Sequence, residues 1–392
     1  MVAHRMPKVL RVLGVRPIIN ASGTLTVLGG SVIHSDILHA WREASEVFLD
    51  MKELHAKAGR FIARLVGAEA AYVTCGTAAS LVISVAACMT RGETNKMARL
   101  PKSEGMRNEV VVQRLHRNEF EYTIGLTGAR IIEIGDEQRT TPQDLSNAIS
   151  QRTAAVVYFA FNPQQGVLPL EQALEVCHRQ RVPVIVDAAA EIPPKENLRK
   201  FIEMGADLVL FSAGKDIGAP NDTGIILGRR DLVEMCMRLG PHNTESVKGR
   251  PRDYIGRPMK TSKEDISAVV AALTRYLQTD HGRRLRRMER MVRYMVSALS
   301  KCETVKVREA DPAYDHPRPV CIPRVELEFP SQALGADEVA RRLREGEPPI
   351  YAYVMNQRLY INPQCLRSGE ERMIVSRLSR LLSEKHHVNS RD

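Results

Sequence analysis

Short, almost uninterrupted apolar runs recur along the first part of the chain and predict the strands of a sheet. They occupy residues 70–74, 109–113, 130–134, 154–161, 182–187, 207–212 and 224–228. Most are bounded by Gly, Pro or Asp, and their continuous apolar composition is typical of strands covered on both faces of a parallel sheet. The last two runs are too close for a crossover helix between them, so we expect that pair to be antiparallel.

Segments with helical spacing of apolar residues alternate with these runs. They cover residues 78–88, 142–149, 170–180 and 197–205, and residues 36–65 predict one or two amphipathic helices. Alternation of strands and helices at this spacing predicts an open α/β sheet.

The C-terminal part of the chain has a different pattern. Residues 239–263 are rich in Gly, Pro and charge and predict an exposed or interface loop, and residues 263–300 predict one long helix or a broken pair. Alternating strands and helices follow. We therefore expect an N-terminal segment of residues 1–35, a large domain of residues 36–262 and a small α+β domain of residues 263–392.

Composition excludes several classes of protein. With 392 residues, 44% hydrophobic and 26% charged, the chain is an ordinary globular protein in composition. Seven cysteines without a CxxC pair predict neither a metal site nor a disulfide framework, and fit a reducing cytosol. We find no signal peptide, and the longest uncharged stretch, residues 72–89, is too polar for a membrane helix. The formal charge of +10 raises the question of a nucleic-acid partner.

Two charged residues follow buried strands. Lys215 lies in the Gly-rich segment SAGKDIGAPNDTG, where a partly desolvated lysine can form a Schiff base with an aldehyde. Asp187 ends the run VPVIVD and is expected at the same sheet edge, where open α/β sheets bind ligands. Taken alone, each is equally a turn residue.

Three further segments are candidates for binding. The segment VTCGTAAS joins a strand to a helix, and the backbone N–H groups of Gly76, Thr77 and Ala78, with the Thr77 hydroxyl, would form an anion site, although many strand–helix junctions look like this. Asn162 breaks a buried strand and can bond a ligand oxygen, although Asn-Pro is also a plain turn signal. His116 can stack on a flat ring or transfer protons, or it is a solvated loop residue.

The order of these features along the chain is more informative than any one of them. A phosphate turn, a ring-facing residue, a carboxylate and a lysine follow successive strands of one sheet. This is the arrangement required to hold pyridoxal 5'-phosphate, with its phosphate at a helix start, an Asp at its pyridine nitrogen and a Lys on its aldehyde.

Several longer motifs carry a family resemblance. The sequence resembles fold-type I pyridoxal-phosphate enzymes and, among them, the selenocysteine synthase (L-seryl-tRNA selenium transferase)-like family, especially its D-glucosaminate-6-phosphate ammonia-lyase-type members. The likeness extends over residues 16–270. Its motifs are INASGTLTVLGGS, GAEAAYVTCGTAASLVISVAACMTRG, HRNEFEYTIGLTGA, VIVDAAAEIPP, GADLVLFSAGKDIGAPNDTGIILGR and IGRPMKTSKEDI.

The resemblance implies a fold and a set of roles. The fold is a mainly parallel seven-stranded sheet with helices on both faces, plus a small α+β C-terminal domain. Lys215 resembles the cofactor lysine and Asp187 the partner of the pyridine nitrogen. The other cofactor residues implied are Cys75, Gly76, Thr77, Ser212, His116 over the ring and Asn162 beside the phenolic oxygen.

The resemblance also implies a homodimer or higher homo-oligomer with active sites between subunits. Arg257 and Lys260 would then serve the neighbouring subunit's phosphate or the substrate.

The sequence departs from the family pattern in two places. APNDTG replaces the frequent GPQSTG, which puts Asp222 near the expected phosphate and leaves a phosphorylated substrate in question. Tyr353 and Gln364 stand where the family tends to place arginines. Arg358 and Arg367 lie close by as candidates for binding a substrate carboxylate, and the sequence does not choose between them.

The expected activity is that of a cytoplasmic lyase. It would act on a small anionic amino acid or amino-sugar acid by Cα deprotonation and β-elimination, giving a 2-keto acid and ammonia. A racemase, epimerase, aldolase or β-replacement enzyme would use the same residues. A tRNA-dependent selenium transferase is disfavoured because the INASG segment begins by residue 19, leaving no room for that enzyme's N-terminal domain. The anionic cofactor and substrate then account for the positive net charge. The Arg-rich segment HGRRLRRMERMVR is predicted to be a solvated helix face.

Overall fold

The chain forms two compact units, Ser31–Thr279 and Met1–Gly30 together with Asp280–Asp392. The structure is a computed structural model. It describes residues 7–160, 165–242, 246–247, 250–251, 254–302, 304–311, 319–330 and 334–383.

A seven-stranded sheet forms the centre of the larger unit, and each strand coincides with a predicted apolar run. Its strands are Ala70–Thr74, Glu109–Gln113, Arg130–Ile134, Thr153–Phe159, Val184–Asp187, Leu208–Ser212 and Gly224–Gly228. In space, with each strand named by its first residue, the order is 70, 224, 208, 184, 153, 109, 130. The strand Gly224–Gly228 is antiparallel to both neighbours and the other pairings are parallel, as predicted.

The continuous apolar composition of these strands has a direct structural cause. Successive side chains of a strand point to opposite faces of the sheet. Val111 packs into the hydrophobic core on one face, whereas Val110 and Val112 pack into the core on the other. A strand buried on both faces has no solvent-facing positions, so its polar residues are confined to its ends.

Helices cover both faces of this sheet. They are Ser35–Ser45, Met51–Val66, Thr77–Thr90, Thr94–Met97, Tyr122–Gly125, Pro142–Ala148, Leu170–Arg179, Asn197–Glu203, Arg230–Leu239 and Lys263–Gln278. The segment 36–65 thus forms two helices. The second begins at Asp50, whose carboxylate accepts hydrogen bonds from the N–H groups of Lys52 (2.8 Å) and Glu53 (3.1 Å) and caps the helix.

The helix Lys263–Gln278 belongs to the larger unit. Its N-terminus is fixed by a capping box between Ser262 and Asp265. Its apolar face, including Ile266 and Leu273, is buried in the same core as the sheet. The division between the units therefore falls at residues 279 and 280, one helix later than the boundary expected after residue 262.

The smaller unit is an α+β structure. A four-stranded antiparallel sheet has the order Lys306–Glu309, Val325–Glu328, Arg358–Ile361, Tyr353–Met355. Its longer helices are His281–Leu299, Ala336–Glu345 and Glu370–Ser383, and a short helix spans Lys8–Val12. A separate pair of short parallel strands joins Ile19–Asn20 to Ile350–Tyr351.

The two faces of the four-stranded sheet differ in polarity. Val325, Leu327 and Leu359 lie on one face and pack in a core with the three longer helices. Alternate positions, among them Glu326 and Tyr360, carry polar side chains on the other face. In the described part of the chain, no helix is long and apolar enough to cross a membrane.

Candidate active site

Lys215 lies in a closed loop that follows the strand Leu208–Ser212. The N–H of Ala213 donates to the carbonyl of Thr223 (3.0 Å), and the N–H of Ala219 donates to the carbonyl of Ala213 (2.9 Å). These bonds fix the backbone on both sides of Lys215, which is half-buried. The lysine is thus presented from a rigid loop at the carboxyl end of a buried strand.

Gly214 is required where this loop closes. A Cβ atom built on Gly214 would lie 2.5 Å from the Cα of Asn221, so a side chain cannot be accommodated without moving backbone. From outside the loop, the hydroxyl of Ser31 donates to the Gly214 carbonyl at 3.2 Å. Ser31 therefore braces the residue directly before Lys215.

Asp187 lies at the same edge of the sheet. It ends the strand Val184–Asp187 and pairs with Leu210 on the adjacent parallel strand, so both strands deliver their carboxyl ends to one edge. One carboxylate oxygen, Oδ1, accepts a hydrogen bond from the N–H of Ala189 at 3.0 Å. The chain thus brings Asp187 and the Lys215 loop to one edge, as the sequence pattern predicts.

The turn of Cys75, Gly76 and Thr77 forms the start of a long buried helix. Gly76 is the N-cap, with φ 94°, and no side chain caps the first turn of the helix Thr77–Thr90. The hydroxyl of Thr77 is buried and has no hydrogen-bond partner among the described residues. Uncapped N–H groups together with an unsatisfied buried hydroxyl form a site suited to an anion.

Gly224 lies between the turn Cys75–Gly76–Thr77 and the loop that carries Lys215. Thr74 pairs with Gly224 from one side, and Ser212 pairs with it from the other. A Cβ atom on Gly224 would lie 2.6 Å from the carbonyl carbon of Gly76, so the two chains approach as closely as a glycine allows. Ser212 is buried at the end of its strand, between these two elements.

Negative charge lies close to this turn. Burial raises the pKa of the Cys75 thiol, and the carboxylates of Asp222 and Asp265 raise it further. Asp222 is exposed to solvent, which weakens its field at the turn. The extra acid noted in the sequence is thus near the turn, on its solvent side.

His116 and Asn162 differ in what the structure says of them. His116 follows the strand Glu109–Gln113 in a 3₁₀ turn and is completely buried, with its ring edge-on to that of Tyr158 at a centroid distance of 4.7 Å. Its role over a cofactor ring stays a prediction. Asn162 lies outside the described residues.

Arg257 and Lys260 lie in an exposed segment anchored at Thr261. His242 Nε2 lies 3.2 Å from the Thr261 carbonyl, and the Thr261 hydroxyl lies 3.4 Å from His55 Nε2. Both cations are exposed. The two histidines therefore hold the end of the segment that carries the two predicted substrate-binding residues.

The two histidines also contact each other. The ring centroids of His55 and His242 are 4.9 Å apart, and those of His55 and Tyr72 are 5.0 Å apart. Burial, with repulsion from His242, lowers the pKa of His55 to about 3. His55 is thus neutral at physiological pH. Its part in the fold was not predicted, because no sequence signal links residues 55, 242 and 261.

Arg358 and Arg367 belong to the smaller unit. Arg358 forms ion pairs with Glu326 (3.5 Å) and Glu328 (3.4 Å), whereas the backbone N–H of the exposed Arg367 donates to Glu370 (2.8 Å). The charge of Arg358 is therefore already neutralised by carboxylates of its own sheet.

Ser31 and Gly224 were also not singled out by sequence reasoning. Ser31 ends the motif INASGTLTVLGGS, and Gly224 ends SAGKDIGAPNDTG. The motifs therefore include both residues but do not show which residues they contact. Their importance follows from tertiary approach, which a sequence pattern does not encode.

Comparison with known proteins identifies the family. Residues 37–345 match the aminotransferase class-V family. The protein belongs to that family. It is a pyridoxal-phosphate-dependent enzyme of fold type I, which confirms the fold class, the cofactor and the family resemblance expected from the sequence.

Three relatives are similar to this member of the class-V family over nearly all of its length. A D-glucosaminate-6-phosphate ammonia lyase of Salmonella typhimurium (strain 14028s / SGSC 2262) is 31% identical over 95% of this chain and 97% of its own length. A 5'-C-glycyluridine monooxygenase-decarboxylase of a Streptomyces species is 32% identical over 94% and 91%. An L-seryl-tRNA(Sec) selenium transferase of Aquifex aeolicus (strain VF5) is 23% identical over 97% and 87%.

The fold has a close counterpart among solved structures. A structure of D-glucosaminate-6-phosphate ammonia-lyase superposes with a TM-score of 0.81 at 30% identity, covering 96% of this chain and 98% of its own. The similarity therefore extends over both units of the chain.

Proposed function

We propose that this class-V enzyme is a pyridoxal-phosphate-dependent ammonia-lyase acting on a small amino acid or amino-sugar acid. The observation that carries the proposal is the convergence of Lys215, Asp187 and the turn Cys75–Gly76–Thr77 on one sheet edge, in a chain 31% identical over 95% of its length to such a lyase. Each group matches one part of the cofactor in charge and hydrogen bonding.

The residues at this edge fit the cofactor. The unsatisfied Thr77 hydroxyl and the N–H groups at the helix start are donors for a phosphate, assisted by Ser212. Asp187 is an acceptor for the protonated pyridine nitrogen, and the family resemblance assigns contacts with the ring to Asn162 and His116. When bound, the cofactor supplies an electron sink for charge that develops at the substrate Cα.

Lys215 has two roles in this proposal. Its amine would hold the cofactor through the cofactor's aldehyde group. The same amine would take the proton from the substrate Cα, since the closed loop holds it at the sheet edge. Asp187 would pair with the protonated pyridine nitrogen and so would hold the proton there.

The proposed reaction balances without an oxidant. The substrate loses the Cα proton and the Cβ hydroxyl, which departs as water. The enamine so released tautomerises to an imine and takes up one water, giving a 2-keto-3-deoxy acid and ammonia.

The proposal includes a cytoplasmic homo-oligomer in which Arg257 and Lys260 of one subunit act at the site of another. Both residues are exposed and lie on a segment anchored by Thr261. A mixture of inactive Lys215→Ala and Arg257→Gln subunits would regain activity if sites are shared. If the mixture has no more activity than the two variants measured separately, the sites are not shared between subunits.

The experiment that tests the function begins with the purified protein and pyridoxal phosphate. We expect a visible absorbance band that is lost in Lys215→Ala, and release of ammonia and 2-keto acid from D-glucosaminate and its 6-phosphate. Comparing the two substrates decides whether phosphorylation is required. The matched control is Lys200→Ala, an exposed lysine elsewhere in the larger unit.

Other outcomes would replace this function. Solvent deuterium at Cα without ammonia would indicate a racemase or epimerase. Oxygen consumption with loss of carbon dioxide would indicate an activity like that of the Streptomyces relative. A protein that binds no pyridoxal phosphate would overturn the proposal altogether.

A further inference from the structure

A cavity of about 650 Å³ lies in the larger unit at the amino edge of its sheet, opposite the edge proposed to hold the cofactor. Val182 and Pro183, which line it, precede the strand Val184–Asp187. Asp207, which also lines it, precedes the strand Leu208–Ser212. These strands are parallel, so the residues before them meet at one edge. The length of the strands thus separates this amino-edge cavity from the proposed cofactor site.

The two acidic residues that line the amino-edge cavity are already paired. The buried carboxylate of Asp207 accepts hydrogen bonds from the N–H of Val184 and from Arg229, both at 2.8 Å. His178 Nε2 lies 3.2 Å from the same carboxylate. Arg229 also forms an ion pair with Asp231 at 2.7 Å. Arg229 therefore serves both carboxylates, and neither pairs with another cation of the described residues.

Two other arginines line the cavity without a carboxylate partner. Arg91 and Arg181 are exposed, and neither forms an ion pair with any residue that the structure describes. Burial and the positive charge of Arg91 lower the pKa of the nearby Arg107. The carboxylates of the described chain therefore leave positive charge at this cavity without a partner.

Arg91 and Arg181 also share an unusual backbone conformation. Their φ angles are 51° and 56°, a region in which the Cβ of an L-residue is crowded and which glycine adopts freely. Four non-glycine residues of the described chain have a positive φ, and these two arginines line one cavity. Glycine would form both turns at lower cost. The turns alone therefore do not account for an arginine at each position.

The rest of the lining suits the body of a small molecule. It is mostly apolar, with Ala87, Leu232 and Met235 among its residues. Ligand sites of about 300–1,000 Å³ typically combine apolar walls with a few charged groups that fix orientation. A guanidinium donates two parallel hydrogen bonds to phosphate oxygens, and a phosphate monoester carries a charge of about −1.5 to −2 with three acceptor oxygens. Two arginines can therefore share one phosphate.

We propose that Arg91 and Arg181 bind the phosphate of a phosphorylated small molecule whose apolar part lies in the amino-edge cavity. This binding site is additional to the proposed cofactor site and lies at the other edge of the sheet. It does not depend on the lyase reaction, so failure of that function leaves it standing.

Calorimetric titration of the holoenzyme, freed of excess cofactor, tests the site with phenyl phosphate and inorganic phosphate. We expect phenyl phosphate to bind more tightly, because it adds an apolar ring to the same anion. Arg91→Gln and Arg181→Gln should each raise its Kd about tenfold or more. Arg60→Gln is the matched control, because Arg60 is an exposed arginine of the larger unit that forms no ion pair with the described residues.

Arg91→Gly and Arg181→Gly distinguish a binding role from a structural one. Glycine adopts a positive φ without steric cost, so both variants should keep or raise the Tm of the unliganded holoenzyme. Both should also lose affinity for phenyl phosphate. If the arginines are purely structural, the glycine variants lower Tm and the glutamine variants bind phenyl phosphate as tightly as the wild type.

The remaining outcomes locate and identify the ligand. A Kd that rises in Arg257→Gln, but not in the Arg91 and Arg181 variants, places the phosphate at the proposed substrate site and overturns the inference. Equal affinity for phenyl phosphate and inorganic phosphate overturns the assignment of the cavity to a small molecule with an apolar part. A wild-type holoenzyme that binds neither compound overturns the site altogether.

Discussion

Thr74 and Ser212 pair with the same residue, Gly224, from opposite sides. One of them leads into the turn that begins the helix Thr77–Thr90, and the other leads into the loop of Lys215. The proposed phosphate site and the proposed cofactor lysine are therefore joined through a single glycine. The separation between them depends on how closely its backbone can approach Gly76.

Gly224→Ala should separate these two elements. The added Cβ would meet the Gly76 carbonyl carbon at 2.6 Å, and backbone must move to relieve it. We expect affinity for pyridoxal phosphate, measured by absorbance titration, to fall tenfold or more, about 1.4 kcal/mol. Gly125→Ala is the matched control, because nothing lies within 4 Å of a Cβ at Gly125. Equal affinity in both variants would contradict the prediction.

Thr77→Val should weaken the cofactor without weakening the fold. The hydroxyl of Thr77 is unsatisfied among the described residues, so its replacement by an isosteric methyl leaves the unliganded free energy of unfolding unchanged or higher. Cofactor affinity should fall about tenfold. Thr77→Ser should retain the affinity. Urea denaturation of the apoprotein measures the stability, and cofactor titration measures the affinity. If Thr77→Val is less stable than the wild type, the hydroxyl has a structural role instead.

Asp187→Asn should reduce turnover while the cofactor remains bound. The Asn side chain can still accept the hydrogen bond that Asp187 receives from Ala189, so the local backbone is kept. Loss of the negative charge removes the group that holds the ring proton, and kcat should fall by about 10²-fold or more. Asp222→Asn, at an exposed acid near Cys75, should keep kcat and bind cofactor equally or more tightly. Steady-state kinetics on both variants decide.

Acid should destabilise the protein partly through His55. Its pKa is lowered from 6.5 to about 3 in the folded state, so below pH 6.5 the unfolded chain binds a proton that the folded chain does not. The free energy of unfolding should therefore fall with decreasing pH between about 6.5 and 3, by up to ~1.4 kcal/mol per pH unit from this group. Loss of stability with rising pH would have the wrong sign.

The measurement is urea denaturation at several pH values. His55→Phe keeps a ring against Tyr72 and His242 and should flatten the pH dependence by up to one proton. His39→Gln, at an exposed histidine, should keep the wild-type slope. An identical slope in His55→Phe would show that His55 does not titrate as described.

The strands were predictable because their environment is uniform. A strand covered on both faces, such as Glu109–Gln113, must be apolar at every interior position. Such a run can be recognised directly in the sequence. The antiparallel last pair was predictable from the length of its connection. Helix boundaries at Asp50 and Ser262 follow from side-chain caps that the sequence displays.

Other features have no local signature. The contact of Ser31 with Gly214 spans 183 residues, and that of Thr261 with His55 spans 206. Such features come from the sum of distant contacts.

By itself, the sequence determined which residues form the sheet and that Asp187 and Lys215 follow strands at one of its edges, because burial and alternation act over a few neighbouring residues. The tertiary structure decided the approach of Gly224 to Gly76 and the contact of His55 with His242. These depend on packing between segments far apart in the chain, where the available space and the remaining hydrogen-bond partners are set by the whole fold.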